Sequence, residues 1–281
     1  MITSFITWNV DPILITLGPL SVRWYGLMFA IGFLLGYMIV ARMFRHEGAP
    51  ERWLGTLLIY LVVCTVIGAR LGHVFFYEWD YYSQHPSEIL RIWEGGLASH
   101  GGAIAIFIGL CLFSWFVTHK NPSWTIDKVV APIALTGGLI RLGNLFNSEI
   151  YGGYTDLPWG MIFVRDGQTL PAHPTQIYEA LCYFALFGLL MWMYWKRNAE
   201  ERPWLMTGVF FLVTFGARFL IEYVKNPQEA WEADMTLNMG QWLSLPFIAL
   251  GIGLIAYAMT RPRQHWSFPG RFADEPAKDK K

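Results

Sequence analysis

Charge is what this chain has least of. Asp, Glu, Lys and Arg together make up only 15% of 281 residues, and the two signs cancel to a net charge of zero. So little charge cannot clothe a soluble domain of this length, while the zero total says nothing about partners. Cysteine is also scarce. Cys64, Cys111 and Cys182 lie in apolar runs at wide spacings, which excludes a disulfide framework and a zinc cluster and leaves lipid-facing or packing roles. There is no P-loop, no His-Glu-x-x-His motif and no lipid-attachment signal, so no metal and no soluble cofactor is expected. The first residues lack the basic stretch and small-residue cleavage site of a removable signal peptide, so the first apolar run is expected to stay as a membrane helix.

What the chain does have is apolar length. Hydrophobic residues reach 54% and aromatics 17%. With about 20 residues needed to cross the hydrocarbon core, the sequence predicts an all-α, polytopic protein with seven spans, at about 23–42, 54–76, 101–118, 128–146, 175–195, 204–224 and 240–259. Trp24, Trp93 and Trp242 on one side, and Trp53, Trp195 and Trp204 on the other, mark the interfaces. One set of connections carries Arg42, Arg45, Arg52, Lys120, Lys128, Lys196, Arg197, Arg202 and the basic tail from Arg261 to Lys281. The opposite set carries only Arg91, Arg165 and Lys225. That asymmetry predicts an external N-terminus and a cytoplasmic C-terminus. Residues 1–260 read as one membrane domain, with an external cap from about 77–100 and 147–174, and 261–281 as a short disordered tail. No internal repeat is evident.

Against this apolar background, a few polar groups stand out. At 1.5 Å per helical residue, Arg70, Arg141, Asn144, Arg218 and Glu222 all fall in the outer half of their spans. So do Tyr25, His100 and the segment His173 to Glu179, at the outer starts of theirs. Each has an ordinary reading. Arg218 with Glu222 can be an i,i+4 structural pair, and Arg70 between glycines can snorkel or bind a neighbouring carbonyl. Tyr25 can be a belt residue, His100 a turn residue and Glu149 a solvated acid, while His173-Pro174 can simply start a helix. Taken together, they would be costly unless they faced one shared wet cavity, and an excess of arginine suits a phosphate.

The motifs carry a resemblance. Arg141-Leu-Gly143-Asn144-Leu-Phe-Asn147-Ser-Glu149-Ile-Tyr-Gly152 is similar to the signature of the bacterial prolipoprotein diacylglyceryl transferases. Trp24-Tyr25-Gly26, Gly68-Ala-Arg70-Leu-Gly72, His100-Gly101-Gly102, His173-Pro-Thr-Gln176-Ile-Tyr-Glu179 and the Arg218/Glu222 spacing support it, in order, over about residues 20–260. Two positions depart from the pattern: Ile140 stands where a glycine is usual, and Thr214 where a tyrosine often is.

The resemblance implies transfer of the diacylglyceryl group of phosphatidylglycerol to the lipobox cysteine of a prolipoprotein signal peptide. This would occur at the outer leaflet of the cytoplasmic membrane, with membrane lipids and no nucleic acid as partners. His100 is then the first candidate base, with Arg218 as an electrostatic alternative. Arg141 holds the departing phosphate, Asn144 positions it and Tyr25 orients the headgroup. Glu222 holds Arg218, and Glu149 with Gly152 shapes the wall. Arg70, Asn147, Gln176 and Glu179 complete the substrate-binding set. Rival readings are a secondary transporter, a lipid-binding scaffold and another lipid-headgroup transferase.

Overall fold

Hydrocarbon offers no partner to a backbone amide, so an apolar run that spans it must bond within itself. Seven runs do so as helices. The computed structural model describes residues 5–18, 20–225, 235–266 and 268. Its long helices are α1 (Trp24–Glu47), α2 (Glu51–Phe76), α4 (Ser99–Phe113, extended by a wide turn over Ser114–Thr118), α5 (Pro122–Phe146), α6 (Thr175–Arg197), α7 (Leu205–Ile221) and α8 (Met239–Thr260). Each is long and apolar enough to cross a membrane, and each falls on a span expected from the sequence. Between α2 and α4 lies the single turn α3 (Trp79–Tyr82). The protein is thus a mostly helical, polytopic membrane protein.

Short strands qualify the all-α expectation outside the spans. β1 (Ile6–Trp8) pairs in parallel with β4 (Met161–Phe163), and β2 (Ile13–Leu17) forms an antiparallel hairpin with β3 (Leu20–Arg23). Strands of three to five residues are too short to print a period-2 pattern strong enough to recognise.

The chain divides into two compact units, one from residues 1–39 and 127–265, the other from 40–126 and 266–281. In the second unit, α2 and α4 touch backbone to backbone. A Cβ added at Gly72 would lie 2.6 Å from the Gly101 Cα, and one at Gly101 2.7 Å from the Gly72 Cα. Helices in lipid gain contact by such small-residue seams. Trp53, expected at an interface, is instead a core residue, set edge-on to the buried Trp124 with centroids 5.8 Å apart. Phe268 joins this cluster 5.2 Å from the Trp124 ring.

In the first unit, α7 and α8 pack through Gly208 and Gly251; a Cβ at Gly251 would lie 2.7 Å from the Leu212 N. The buried Asp127 carboxylate accepts from the Trp204 N–H at 2.7 Å and the Thr207 N–H at 2.8 Å, closing the orphaned donors at the start of α7. Phe163, Ala172, Leu145 and Met161 form a small core over the end of α5. Trp8 reaches it from β1, donating Nε1–H to the Leu145 carbonyl at 2.9 Å. The connection 147–174 therefore packs with β1. Of the expected tail, the Gln264 N–H donates to the Glu201 carbonyl at 2.7 Å, and the Glu201 carboxylate meets Arg263 and His265. Residues 269–281 lie outside the described residues.

Candidate active site

The last two turns of α5 carry Arg141 and Asn144, three residues apart and on neighbouring faces. Gly143 between them is a contact point. A Cβ there would lie 2.9 Å from the Tyr25 Cδ2 and 3.1 Å from its Cα, so only glycine lets the first turn of α1 lie against this turn of α5. Trp24 stacks on Phe146 at 4.7 Å and fixes the same approach. Tyr25 is thereby held beside the signature residues.

Beyond α5 the chain makes a constrained turn. Ser148 and Ile150 both take positive φ, 55° and 61°. For a β-branched residue that conformation is rare, and something must hold it. The first turn of α6 does so: Gln176 Nε2 donates to the Glu149 carbonyl at 2.7 Å, and the Thr175 hydroxyl to the Ile150 carbonyl at 2.8 Å. Gly152 then threads between segments, its N–H donating to the His173 carbonyl at 2.8 Å, with no room for a side chain against the Val224 carbonyl. Gln176, expected to bind substrate, is buried; its Nε2 anchors the signature turn and its Oε1 has no hydrogen-bond partner among the described residues.

The turn delivers Glu149 back to the amides. Its Oε1 accepts from Asn144 Nδ2 at 2.7 Å and Asn147 Nδ2 at 3.2 Å. That fixes the Asn144 amide, whose Oδ1 then faces Arg141 Nη1 at 3.4 Å. Arg141 Nε is paired with the Glu179 carboxylate, which is 3% exposed. The other oxygen of Glu179 lies 2.6 Å from Lys225 Nζ, and Lys225 lies 3.6 Å from the Glu222 carboxylate. Tyr183, one turn along α6 from Glu179, lies within charge-interaction range of Arg141, Arg218 and Glu179. The result is an alternating chain of charge, Arg141, Glu179, Lys225, Glu222.

Two expectations change here. Glu222 was to hold Arg218, but its ion-pair partner is Lys225, and no carboxylate lies within ion-pair distance of Arg218 among the described residues. Glu222 caps α7 with its N–H still bonded to the Arg218 carbonyl, and the tighter turn Glu222–Val224 that follows brings Lys225 to its carboxylate. Its carboxylate instead sits on the first turn of α8, where a Cβ at Gly240 would lie 2.7 Å from Oε1. Exposed backbone donors and the helix dipole favour an anion there. Arg218 is left with its Nε buried and unpartnered, a costly state for a charged donor without a ligand.

Arg70 also differs from expectation. It is buried at 4% exposure, and its nitrogens donate to the carbonyls of Ile89 at 2.8 Å, Glu88 at 2.7 Å and Gly95 at 2.8 Å, with Tyr82 under the guanidinium. Its donors anchor the connection 83–98. His100 follows that connection on the first turn of α4 and is exposed.

Lys225, Thr175 and Tyr183 escaped the sequence reading. Lys225 left a trace in its i,i+3 spacing from Glu222, and Thr175 in its place within the motif His173 to Glu179. In the cap, burial and the neighbouring Asp166 carboxylate push the Tyr151 phenol up to about 12, so it stays a donor to Asp166. No cluster of metal-ligating side chains occurs among the described residues.

A polar cluster of this kind, centred on the part-buried Arg141 near the end of α5, is the mark of membrane proteins with a functional site among their helices. Within that class the chain is a member of the prolipoprotein diacylglyceryl transferase family, whose model matches residues 12–257. It is 50% identical to the phosphatidylglycerol–prolipoprotein diacylglyceryl transferase of Tolumonas auensis over 88% of this chain and 95% of that one. The proteins of the same name from Porphyromonas gingivalis and Chloroherpeton thalassium are 48% and 46% identical, over 92% and 90% of this chain and 96% and 94% of theirs.

Proposed function

We propose that the protein moves the diacylglyceryl group of phosphatidylglycerol onto the thiol of a prolipoprotein's lipobox cysteine, at the outer leaflet of the bacterial cytoplasmic membrane, releasing glycerol 1-phosphate. The observation that carries the reading is the Arg141 cluster, a guanidinium oriented by Glu179 and Asn144 beside an Arg218 with an unpartnered donor. That is the equipment of a phosphate site, since guanidinium forks form paired charge-assisted hydrogen bonds to phosphate oxygens. The lysine and arginine asymmetry supports an external N-terminus, which puts the α5/α6 connection and this cluster on the outer side.

The sulfur attacks a saturated glycerol carbon, the carbon–oxygen bond to phosphate breaks, and the electron pair stays on the leaving phosphate. Charge therefore grows where Arg141 and Arg218 stand, and stabilising it there is the main catalytic contribution. Asn144, fixed by Glu149, positions the phosphate, and Tyr25, held against Gly143, orients the headgroup. The substrate thiol, with an ordinary pKa of about 8.5, is mostly protonated at neutral pH and must lose its proton. His100 is the base in this scheme, with Arg218 the electrostatic alternative. Arg70 and Gln176 serve by holding the segments that carry His100 and Glu149.

Purified protein given phosphatidylglycerol and a lipobox peptide should add one diacylglyceryl group to the cysteine, read by mass. An unchanged peptide mass with folded protein sinks the assignment. His100→Gln should lower turnover about 100-fold or more at neutral pH, and full activity there removes the histidine as base.

A further inference from the structure

Lys225 follows the tight turn Glu222–Val224 and is the most deeply placed cation of the site that the transfer scheme leaves unused. Its side chain is 9% exposed, and its Nζ is 2.6 Å from Glu179 Oε1 but 3.6 Å from Glu222 Oε2. The shorter contact identifies the principal partner. Glu222 has the first turn of α8 to compensate it, whereas Glu179 faces only cations, Lys225 on one oxygen and Arg141 on the other. A carboxylate shared between two cations neutralises neither fully, because each draws density from the other at low local dielectric.

We propose that Lys225 is a positioning residue for the reaction, acting on Arg141 through Glu179. By occupying Oε1 it fixes the plane of the carboxylate, so that Oε2 meets Arg141 at Nε, and the Nη hydrogens that Asn144 does not take are left to the lipid phosphate. By taking part of the negative charge it keeps Arg141 electropositive. Without Lys225, Glu179 belongs to Arg141 alone, and one positive charge is lost from the site that must receive a phosphate. The effect falls on the lipid substrate and not on the peptide. This inference rests on the reading of Arg141 as the phosphate holder.

The test uses the full chain with Lys225→Met and Lys225→Arg, phosphatidylglycerol and a lipobox peptide, with lipid binding followed separately by native mass spectrometry. Lys225→Met should raise KM for phosphatidylglycerol about tenfold and weaken binding of that lipid by a similar factor, with the peptide KM within about twofold of the parent. Lys225→Arg should restore both lipid values to within about threefold. The inference is overturned if Lys225→Met leaves lipid KM and binding unchanged. It is equally overturned if Lys225→Arg behaves like Lys225→Met, or if both KM values and the melting temperature move together, as a purely structural strut predicts. Absence of any thioether product from the parent protein would refute the transfer reading, while the lipid-binding series would still decide the role of Lys225.

Discussion

Arg70 and Arg141 look alike in the sequence, each near the end of an apolar run with glycine close by, yet the structure gives them opposite employment. Arg70 is surrounded by neutral carbonyls, which absorb its donors without cancelling its charge, and by the face of Tyr82. Such an arrangement welds a loop. Arg141 meets a carboxylate shared with Lys225 and an amide held by Glu149, so its direction is set by groups that are themselves fixed. The lesson is that an arginine near a helix end is read by its partners: backbone acceptors make an anchor, and supported side-chain partners make a preorganised group.

The sharpest way to break this contrast is Arg141→Ala. It should lower kcat/KM for the lipid by about 1,000-fold or more, the scale of losing a main charge stabiliser. The protein should stay folded in the membrane, because Glu179 keeps Lys225; near-normal turnover would remove Arg141 from the site. Arg70→Met should do the reverse. Stranding the carbonyls of Glu88, Ile89 and Gly95 should cost about 3 kcal/mol, and the apparent Tm in detergent should fall by roughly 5–10 °C. Activity per folded molecule should hold, and an unchanged Tm with lost lipid binding would make Arg70 a ligand after all.

A smaller effect tests the seam that holds Tyr25. Gly143→Ala adds a Cβ 2.9 Å from the Tyr25 ring, which should raise the lipid KM by about threefold with little change in yield. Unaltered kinetics would detach Tyr25 from the headgroup.

The smallest effect is electrostatic and lies in the cap. Burial holds the His173 imidazole below its ordinary value, so between pH 7 and pH 5 the unfolded chain binds more protons than the folded one. Stability should therefore fall as pH drops through the ordinary histidine range and level off below the folded value. His173→Asn should flatten that part of a pH series of Tm, and an identical slope would contradict it.

The membrane body was legible because hydrocarbon imposes one rule on every residue of a span, and a run of 20 apolar residues satisfies it almost only as a helix. The polar residues Arg141, Asn144 and Glu222 were legible because such groups are expensive in apolar runs. The β1/β4 pairing was not, since three residues carry too little pattern and their partners lie far apart in the chain. The anchoring contacts of Gln176 and Thr175 were not legible for a related reason: a side chain that holds a main-chain carbonyl has the same chemistry as one that holds a ligand.

By itself the sequence determined the seven spans, the family and the presence of an arginine-rich polar cluster, because each depends on residue type and spacing along a helix. Which cation meets which anion was decided only by tertiary structure. Glu222 meets Lys225 and not Arg218 although one helical turn separates 218 from 222, and Glu179 bridges Lys225 and Arg141 because α6 is drawn against the signature turn by Thr175 and Gln176. Coulombic partners are set by ångström distances between groups far apart in the chain, and spacing along one helix does not contain those distances.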